Sequence, residues 1–272
     1  VYALVGFGLL VYCFTQTKER VVMDESTGHT VSYSDLFTEF LRNRPLRILA
    51  FFFITAFAMM AVGNSASAYY MQYNVGHAEA LKWFNALGSV PAFIFMPLVP
   101  AIKRAIGKKR MFYVFLTVAI IGMAMLYVIS TVPSLRSQLW LVYVAQFVKS
   151  TGVIVATGYM WALVPEVISY GEWKTGKRIA GVVNALTGIF FKAGFALGGV
   201  IPGLVLAFTN FDPKAAEQSA FAQQGILWLV VVLPAILLLL AMFIISKYEL
   251  EDDKIDEINR EIEARHRSQA GA

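Results

Sequence analysis

An all-α membrane protein with six spanning helices is the fold the sequence predicts, and three observations predict it. The first is composition: of 272 residues, 58% are hydrophobic and 15% charged, with a mean hydropathy of +0.62, against about 25% charged in a soluble domain. The second is six apolar runs, each near the roughly 20 residues that a helix needs to cross a bilayer. The third is the placement of Lys and Arg, which crowd into every second connection between those runs. This composition excludes a disordered chain, and one cysteine, Cys13, excludes a disulfide-stapled secreted module. The net charge of +5 sits between apolar runs, so no nucleic-acid partner is expected.

Taken in order, the elements are these. Residues 1–15 are apolar but too short for a span, and they open without Met, a basic start or a cleavage site. They are read as the end of a truncated transmembrane helix rather than a signal peptide. Residues 16–47 form a loop. Its polar stretch Lys18–Tyr33 with Gly28 is a linker, and Ser34–Arg44 repeats Leu36, Phe37, Phe40 and Leu41 as an amphipathic helix on the membrane surface. Pro45 resets the chain. The six-helix bundle then occupies residues 48–246, with spans near Ile48–Tyr70, Trp83–Ile102, Met111–Val132, Leu139–Val164, Ile179–Phe208 and Ile226–Ser246. Pro91, Pro97 and Pro100 imply a bend in the second of them. In the tail, 247–272, Ile255, Ile258 and Ile262 recur at helical spacing, so a solvated helix capping the bundle is expected.

Basic residues favour the cytoplasmic side. Lys18, Arg20, Arg42, Arg44 and Arg47 fall before the first full span, and Lys103, Arg104, Lys108, Lys109 and Arg110 follow the second. Lys174, Lys177 and Arg178 follow the fourth, and Lys247, Lys254, Arg260, Arg265 and Arg267 follow the sixth. The alternate connections hold Lys82, Arg136 and Lys214. The long loop and the tail are therefore expected in the cytoplasm, in an inner or plasma membrane.

Polar side chains inside spans need a reason, because a lysine at mid-membrane costs about 2.5–3.5 kcal/mol. Lys192 lies thirteen residues past Ile179, roughly 20 Å along a helix, with Asn184 two turns earlier and Gly188, Gly194, Gly198 and Gly199 around it. It reads as a polar centre contacting substrate or coupling ion, against a structural lysine bonded to a neighbouring helix. Lys149 is a second candidate, for which structural pairing is an equal alternative. Asn64, Ser65 and Ser67 suit a hydroxylated ligand, since amides and hydroxyls both donate and accept; helix–helix hydrogen bonding is the competing reading. Tyr70 and Tyr73 fit an interfacial belt. Trp161 and Tyr159 fit either a sugar ring or the interface.

No enzyme constellation is present. His29, His77 and His266 lie far apart without metal-ligand spacing, and neither a phosphate loop nor a nucleophile elbow occurs. No cofactor and no metal site are expected.

The run Tyr170-Gly171-Glu172-Trp173-Lys174-Thr175-Gly176-Lys177-Arg178 resembles the signature of the glycoside–pentoside–hexuronide:cation symporters, the melibiose-permease-like branch of the major facilitator superfamily. Thr17-Lys18-Glu19-Arg20, Tyr69-Tyr70-x-x-Tyr73-x-x-Gly76 and Lys103-Arg104-x-x-Gly107-Lys108-Lys109-Arg110 add weaker matches. The resemblance implies the carboxyl-terminal half of a twelve-helix carrier, with the amino-terminal half, a sugar, membrane lipid and Na⁺ or H⁺ as its partners. It implies a sugar site at the midplane and alternating access, with the cation held mainly by acidic residues of the other half. Lys192 aligns with a lysine of the family's eleventh helix near those sites. Tyr170, Glu172, Lys174 and Arg178 match positions that close the cytoplasmic side through salt bridges to the other half. Ser169 departs from the acidic residue that many members carry there. The competing expectations are a facilitator for a non-sugar solute and a membrane sensor that binds sugar without moving it.

Overall fold

A computed structural model describes residues 2–17, 33–136, 138–176 and 180–270. The expected linker at 18–32, with His29, and the motif residues Lys177 and Arg178 lie outside the described residues. The chain divides into two units, Val1–Tyr33 and Ser34–Ala272. In the first, α1 spans Tyr2–Gln16, and Thr17 donates its hydroxyl to the Cys13 carbonyl at 2.7 Å just past its end.

Among its described residues the second unit holds six helical stretches long and apolar enough to cross a membrane. Before them, α2 covers Tyr33–Arg42. Asn43 then caps α3 (Arg44–Tyr69), its side chain accepting from the Leu46 amide at 3.0 Å, while Pro45 takes a first-turn position that needs no N–H. A π-helical turn carries α3 on through Tyr70–Val75, and Gly76 ends it with a left-handed φ of 83°. Next come α4 (Leu81–Phe95) and α5 (Val99–Ile106), parted by a 3₁₀ turn over Met96–Pro97–Leu98. The prolines thus interrupt this span as expected. Then follow α6 (Lys108–Thr131), the short α7 (Pro133–Arg136) and α8 (Leu139–Met160).

The spans ending at Val164 and starting at Ile179 leave 165–178 as a connecting loop, yet Leu163–Thr175 is helical and forms α9. Two residues, Trp161 and Ala162, break it from α8. Pro165 sits in the first turn, where no intrahelical donor is lost, and Gly176 (φ 73°) closes the end by donating to the Glu172 carbonyl at 2.8 Å. The remaining helices are α10 (Ala180–Phe208), α11 (Ala220–Leu227), α12 (Leu233–Ser246) and α13 (Asp252–Ala270). A π turn at Trp228–Val232 joins α11 to α12.

Helix α3 is the centre of the unit, with 67% of its apolar window buried. It packs most extensively against α10, as α6 does against α8. Small residues make both contacts close, as helix association in lipid requires. A side chain at Gly194 or Gly198 of α10 would meet the α3 residues Ile54 and Phe57, or Ala58 and Ala61. One at Gly122 of α6 would meet the Lys149 backbone, and one at Gly152 of α8 would meet the backbone of Phe115 and Ala119. By contrast, α4 and α10 bury just 11% and 17% of their apolar windows within the unit.

Tyr70 departs from the interfacial belt: it is fully buried, its hydroxyl 2.8 Å from that of Ser130 on α6. It follows the buried Val62 and Ala66 at one-turn intervals, on the inward face of α3. Tyr73 packs on Phe211 with ring centroids 5.6 Å apart, and its carbonyl accepts from Arg136 at 2.7 Å. In α2, Phe40 packs on Phe190 of α10 at 5.4 Å, whereas Phe37 and Leu41 stay exposed.

Candidate functional site

Seven polar side chains converge on one cavity of about 450 Å³ between α3, α4 and α8. Asn64 and Ser67 come from α3, Asn85 and Ser89 from α4, and Gln146, Lys149 and Ser150 from α8. Met59, Met60, Met123, Val153, Ile154, Val230 and Pro234 supply apolar wall. Helical spacing explains the grouping: Asn85 and Ser89 stand one turn apart, as do Gln146 and Ser150 with Lys149 between them. Two of these groups are tied to their own helices, Ser67 donating to the Asn64 carbonyl at 2.8 Å and Ser89 to that of Asn85 at 3.2 Å. Gly88 gives the α8 groups their room, since a Cβ there would lie 2.7 Å from Gln146 Nε2 and 3.3 Å from Ser150 Oγ. Gln146 Oε1 is buried and has no hydrogen-bond partner among the described residues. Lys149 Nζ lies 5.5 Å from the centroid of the Phe84 ring, a favourable but partial substitute for a counter-charge. Amides and hydroxyls that donate and accept, with apolar walls and one ammonium, suit a compact polyhydroxylated ligand.

Of the residues singled out in the sequence, Asn64, Ser67 and Lys149 therefore meet in one place. Lys192 and Asn184 do not line this cavity. Both are exposed on α10, and the Asn184 amide donates to the Ala180 carbonyl at 3.0 Å. Trp161 also stands outside it, set edge-on against Phe53 at 4.9 Å and Phe57 at 6.0 Å, and 47% exposed. Asn85, Ser89, Gln146 and Ser150 join them only where α4 and α8 meet α3 around the cavity.

At the basic end of the bundle, Tyr170 and Lys174 stack, with Nζ 5.6 Å from the ring centroid. Glu172 is buried and finds its partner within this chain, His266 Nε2 at 3.0 Å. Trp173 Nε1 donates to Glu261 at 2.6 Å, and Arg265 donates to the Trp173 carbonyl at 3.3 Å. These contacts, with buried Ile258 and Ile262, dock α13 on α9. Beside them Lys108, 4% exposed at its side chain, pairs with Glu166 at 2.8 Å and Asp252 at 3.4 Å. Tyr248 also donates to Glu166, at 3.1 Å. Burial pushes the Tyr248 phenol well above its ordinary value, and the neighbouring Glu166 carboxylate adds to the shift. Burial raises the Asp252 carboxyl, but the hydrogen bond from Lys103 and the charges of Lys108 and Lys103 outweigh it and hold it below the usual aspartate value.

Among the described residues no group of three His, Cys, Asp or Glu could hold a metal ion. The family model described as MFS/sugar transport protein matches residues 1–252. Among curated proteins, the chain is similar to the uncharacterized symporter YnaJ of Bacillus subtilis (strain 168), at 38% identity over 97% of this chain and 56% of that protein. It is similar to the glucuronide carrier protein homolog of Escherichia coli (strain K12), at 31% identity over 99% of this chain and 57% of that one. The putative glycoside/cation symporter YagG of the same strain is 28% identical over 100% of this chain and 57% of its own length. The chain thus spans a little over half the length of the curated relatives it matches. The symporter resemblance carried by Tyr170–Thr175 and its flanking residues agrees with all of these. With six apolar helices and a family match over nearly its whole length, the chain belongs to the MFS/sugar transport family of multi-pass membrane proteins.

Proposed function

We propose that this chain is the carboxyl-terminal half of a twelve-helix sugar symporter, and that the cavity between α3, α4 and α8 is its share of the sugar site. The observation that carries the reading is the convergence of seven polar side chains on one cavity inside the apolar part of the bundle. The names of the relatives, which include a glycoside/cation symporter and putative sulfoquinovose importers, support a sugar as cargo. The broad apolar surfaces of α4 and α10 suit contact with a companion half as well as with lipid. In this reading the tail and the α5–α6 turn face the cytoplasm, as the basic residues direct.

Na⁺ or H⁺ binds carboxylates of the companion half and raises sugar affinity, and the loaded carrier then rocks between its two facings. A ligand shifts that equilibrium only by its differential affinity for the two states. Lys192 and Asn184, exposed on α10, face that half. When the cation is absent the lysine competes for the carboxylates, linking occupancy to conformation. Tyr170, Glu172, Lys174 and Arg178 belong to the closing cytoplasmic side.

The test is cation-driven uptake and counterflow of labelled sugars in proteoliposomes holding the full-length carrier. Gln146→Ala and Asn85→Ala are expected to raise the half-saturating sugar concentration at least about tenfold, the scale of a lost buried hydrogen bond. Lys192→Ala is expected to uncouple uptake from the cation gradient. Sugar binding without counterflow would make the protein a sensor, and uptake indifferent to every one of these changes would remove the cavity from the sugar path.

A further inference from the structure

Lys149 sits deep in α8, ten residues after Leu139 and eleven before Met160, so about 15 Å of helix separates it from either end. Its backbone lies against the bare face of Gly122 on α6, and its ammonium reaches the ring of Phe84 on α4. Among the described residues no carboxylate comes within ion-pair distance of it, and none lines the cavity it opens on. Half-buried in the middle of an apolar span, an ammonium without a counter-charge is costly, and such groups mark ligand paths. The same bundle compensates Lys108 with two carboxylates, so its lysines are not left bare by default.

A second observation points to a ligand independently. Gln146, one turn before Lys149 and Ser150, is 7% exposed, and its Oε1 is buried without a hydrogen-bond partner among the described residues. An acceptor in that condition wants a donor brought in from outside the chain. Its Nε2 lies beside Gly88, where any side chain would crowd it. The cavity thus offers one acceptor fit for a hydroxyl and one cation fit for an anion, three residues apart on one helix face.

From this juxtaposition we infer that Lys149 is a specificity-determining residue. The cavity takes a polyhydroxylated ligand that carries a carboxylate or sulfonate, with the anion against Lys149 Nζ and a hydroxyl donating to Gln146 Oε1. The inference rests on the carrier reading above and narrows its cargo. A neutral sugar leaves the ammonium uncompensated, whereas an anionic one arrives with the missing charge and gains a charge-assisted hydrogen bond.

The experiment uses full-length carrier in proteoliposomes under an inward Na⁺ or H⁺ gradient. The probes are D-glucuronate and D-galacturonate and their methyl glycosides, each paired with its uncharged primary amide, together with glucose and galactose. Uptake of acid over amide is read as a ratio within one preparation, so partial loss of folded protein does not alter it. The unmodified carrier is expected to favour the acid at least about tenfold, the factor that one charge-assisted hydrogen bond supplies. Lys149→Gln and Lys149→Met are each expected to bring the ratio close to one, and Lys149→Arg to keep most of it. Gln146→Leu is expected to slow acid and amide alike and to leave the ratio in place. A carrier that prefers amides or neutral sugars, or a ratio that survives both uncharged replacements, overturns the anion subsite while the carrier reading stands; the lysine's partner is then a carboxylate elsewhere in the carrier. Failure to move any probe, neutral or charged, under either gradient sinks the carrier reading itself.

Discussion

Lys108, at the start of α6, is 4% exposed at its side chain and donates to Glu166 at 2.8 Å, with Asp252 at 3.4 Å and the Tyr248 ring centroid at 5.8 Å. Lys149, in mid-α8, reaches the ring of Phe84 and no described carboxylate. Both are ammonium groups within one bundle, the first buried and the second half-buried. The first is tied by its partners into the fold, where it fastens the α5–α6 turn to α9 and to the chain leading into α13. The second opens onto a cavity lined with groups that donate and accept. What marks the structural lysine off from the ligand-facing one is its inventory of partners.

The sharpest way to break that contrast is to strip Lys108 of its main partner. Glu166→Ala is expected to cost about 3 kcal/mol, because it leaves a buried cation largely uncompensated. Thermal unfolding of the purified protein in detergent measures it. The double change Lys108→Met with Glu166→Leu should recover most of the loss, since apolar replacement of a buried pair is often neutral.

Next in size is the contact on which Lys149 rides. Gly152→Ala drives a methyl group into the Phe115 and Ala119 backbone and is expected to destabilise by about 1–3 kcal/mol through overpacking. Gly188→Ala meets nothing within 4 Å, so its midpoint in the same assay should match the unmodified protein's.

Lys149→Met is expected to leave the unfolding midpoint unchanged or raise it slightly, while it removes discrimination between acid and amide. A loss as large as that of Glu166→Ala would place Lys149 with Lys108 as a structural group and dissolve the contrast.

The smallest effect concerns pH. Asp252 has a lowered carboxyl pKa in the folded chain, so its contribution is complete above the ordinary aspartate value of about 3.9. It is lost only as pH falls through the lower native value. Docking of α13, followed by fluorescence of Trp173 through its bond to Glu261, should therefore carry an acid-range step that Asp252→Asn removes. Between pH 5 and 8 the two proteins should behave alike.

The fold was largely legible from local pattern, because a bilayer accepts few solutions. Long apolar runs must be helices there, and the runs ending at Phe208 and Ser246 stop where α10 and α12 stop. The prolines signalled the break at Met96–Leu98. The π turn at Tyr70–Val75 was not legible, since its helical residues look ordinary in sequence. The helix over Leu163–Thr175 was hidden by its polar composition, which imitates a loop. In the candidate site, Asn64, Ser67 and Lys149 stood out as polar groups in apolar surroundings. Asn85, Ser89, Gln146 and Ser150 did not, because each is unremarkable until its helix is laid beside the others.

By itself, then, the sequence determined the class of protein, the six apolar spans seen among the described residues, the uneven spread of positive charge and the family motif at Tyr170–Thr175. These follow from local composition and from the length a helix needs in hydrocarbon. Tertiary structure alone decided that Lys149 and Gln146 share a cavity while Lys192 and Asn184 stand on the exposed side of α10, and that Tyr70 turns inward to Ser130. Those outcomes depend on which helix faces lie a few ångströms apart. That spacing is set by glycine contacts between segments distant in sequence, such as Gly122 with Lys149 and Gly198 with Ala61, and no single helical repeat records it.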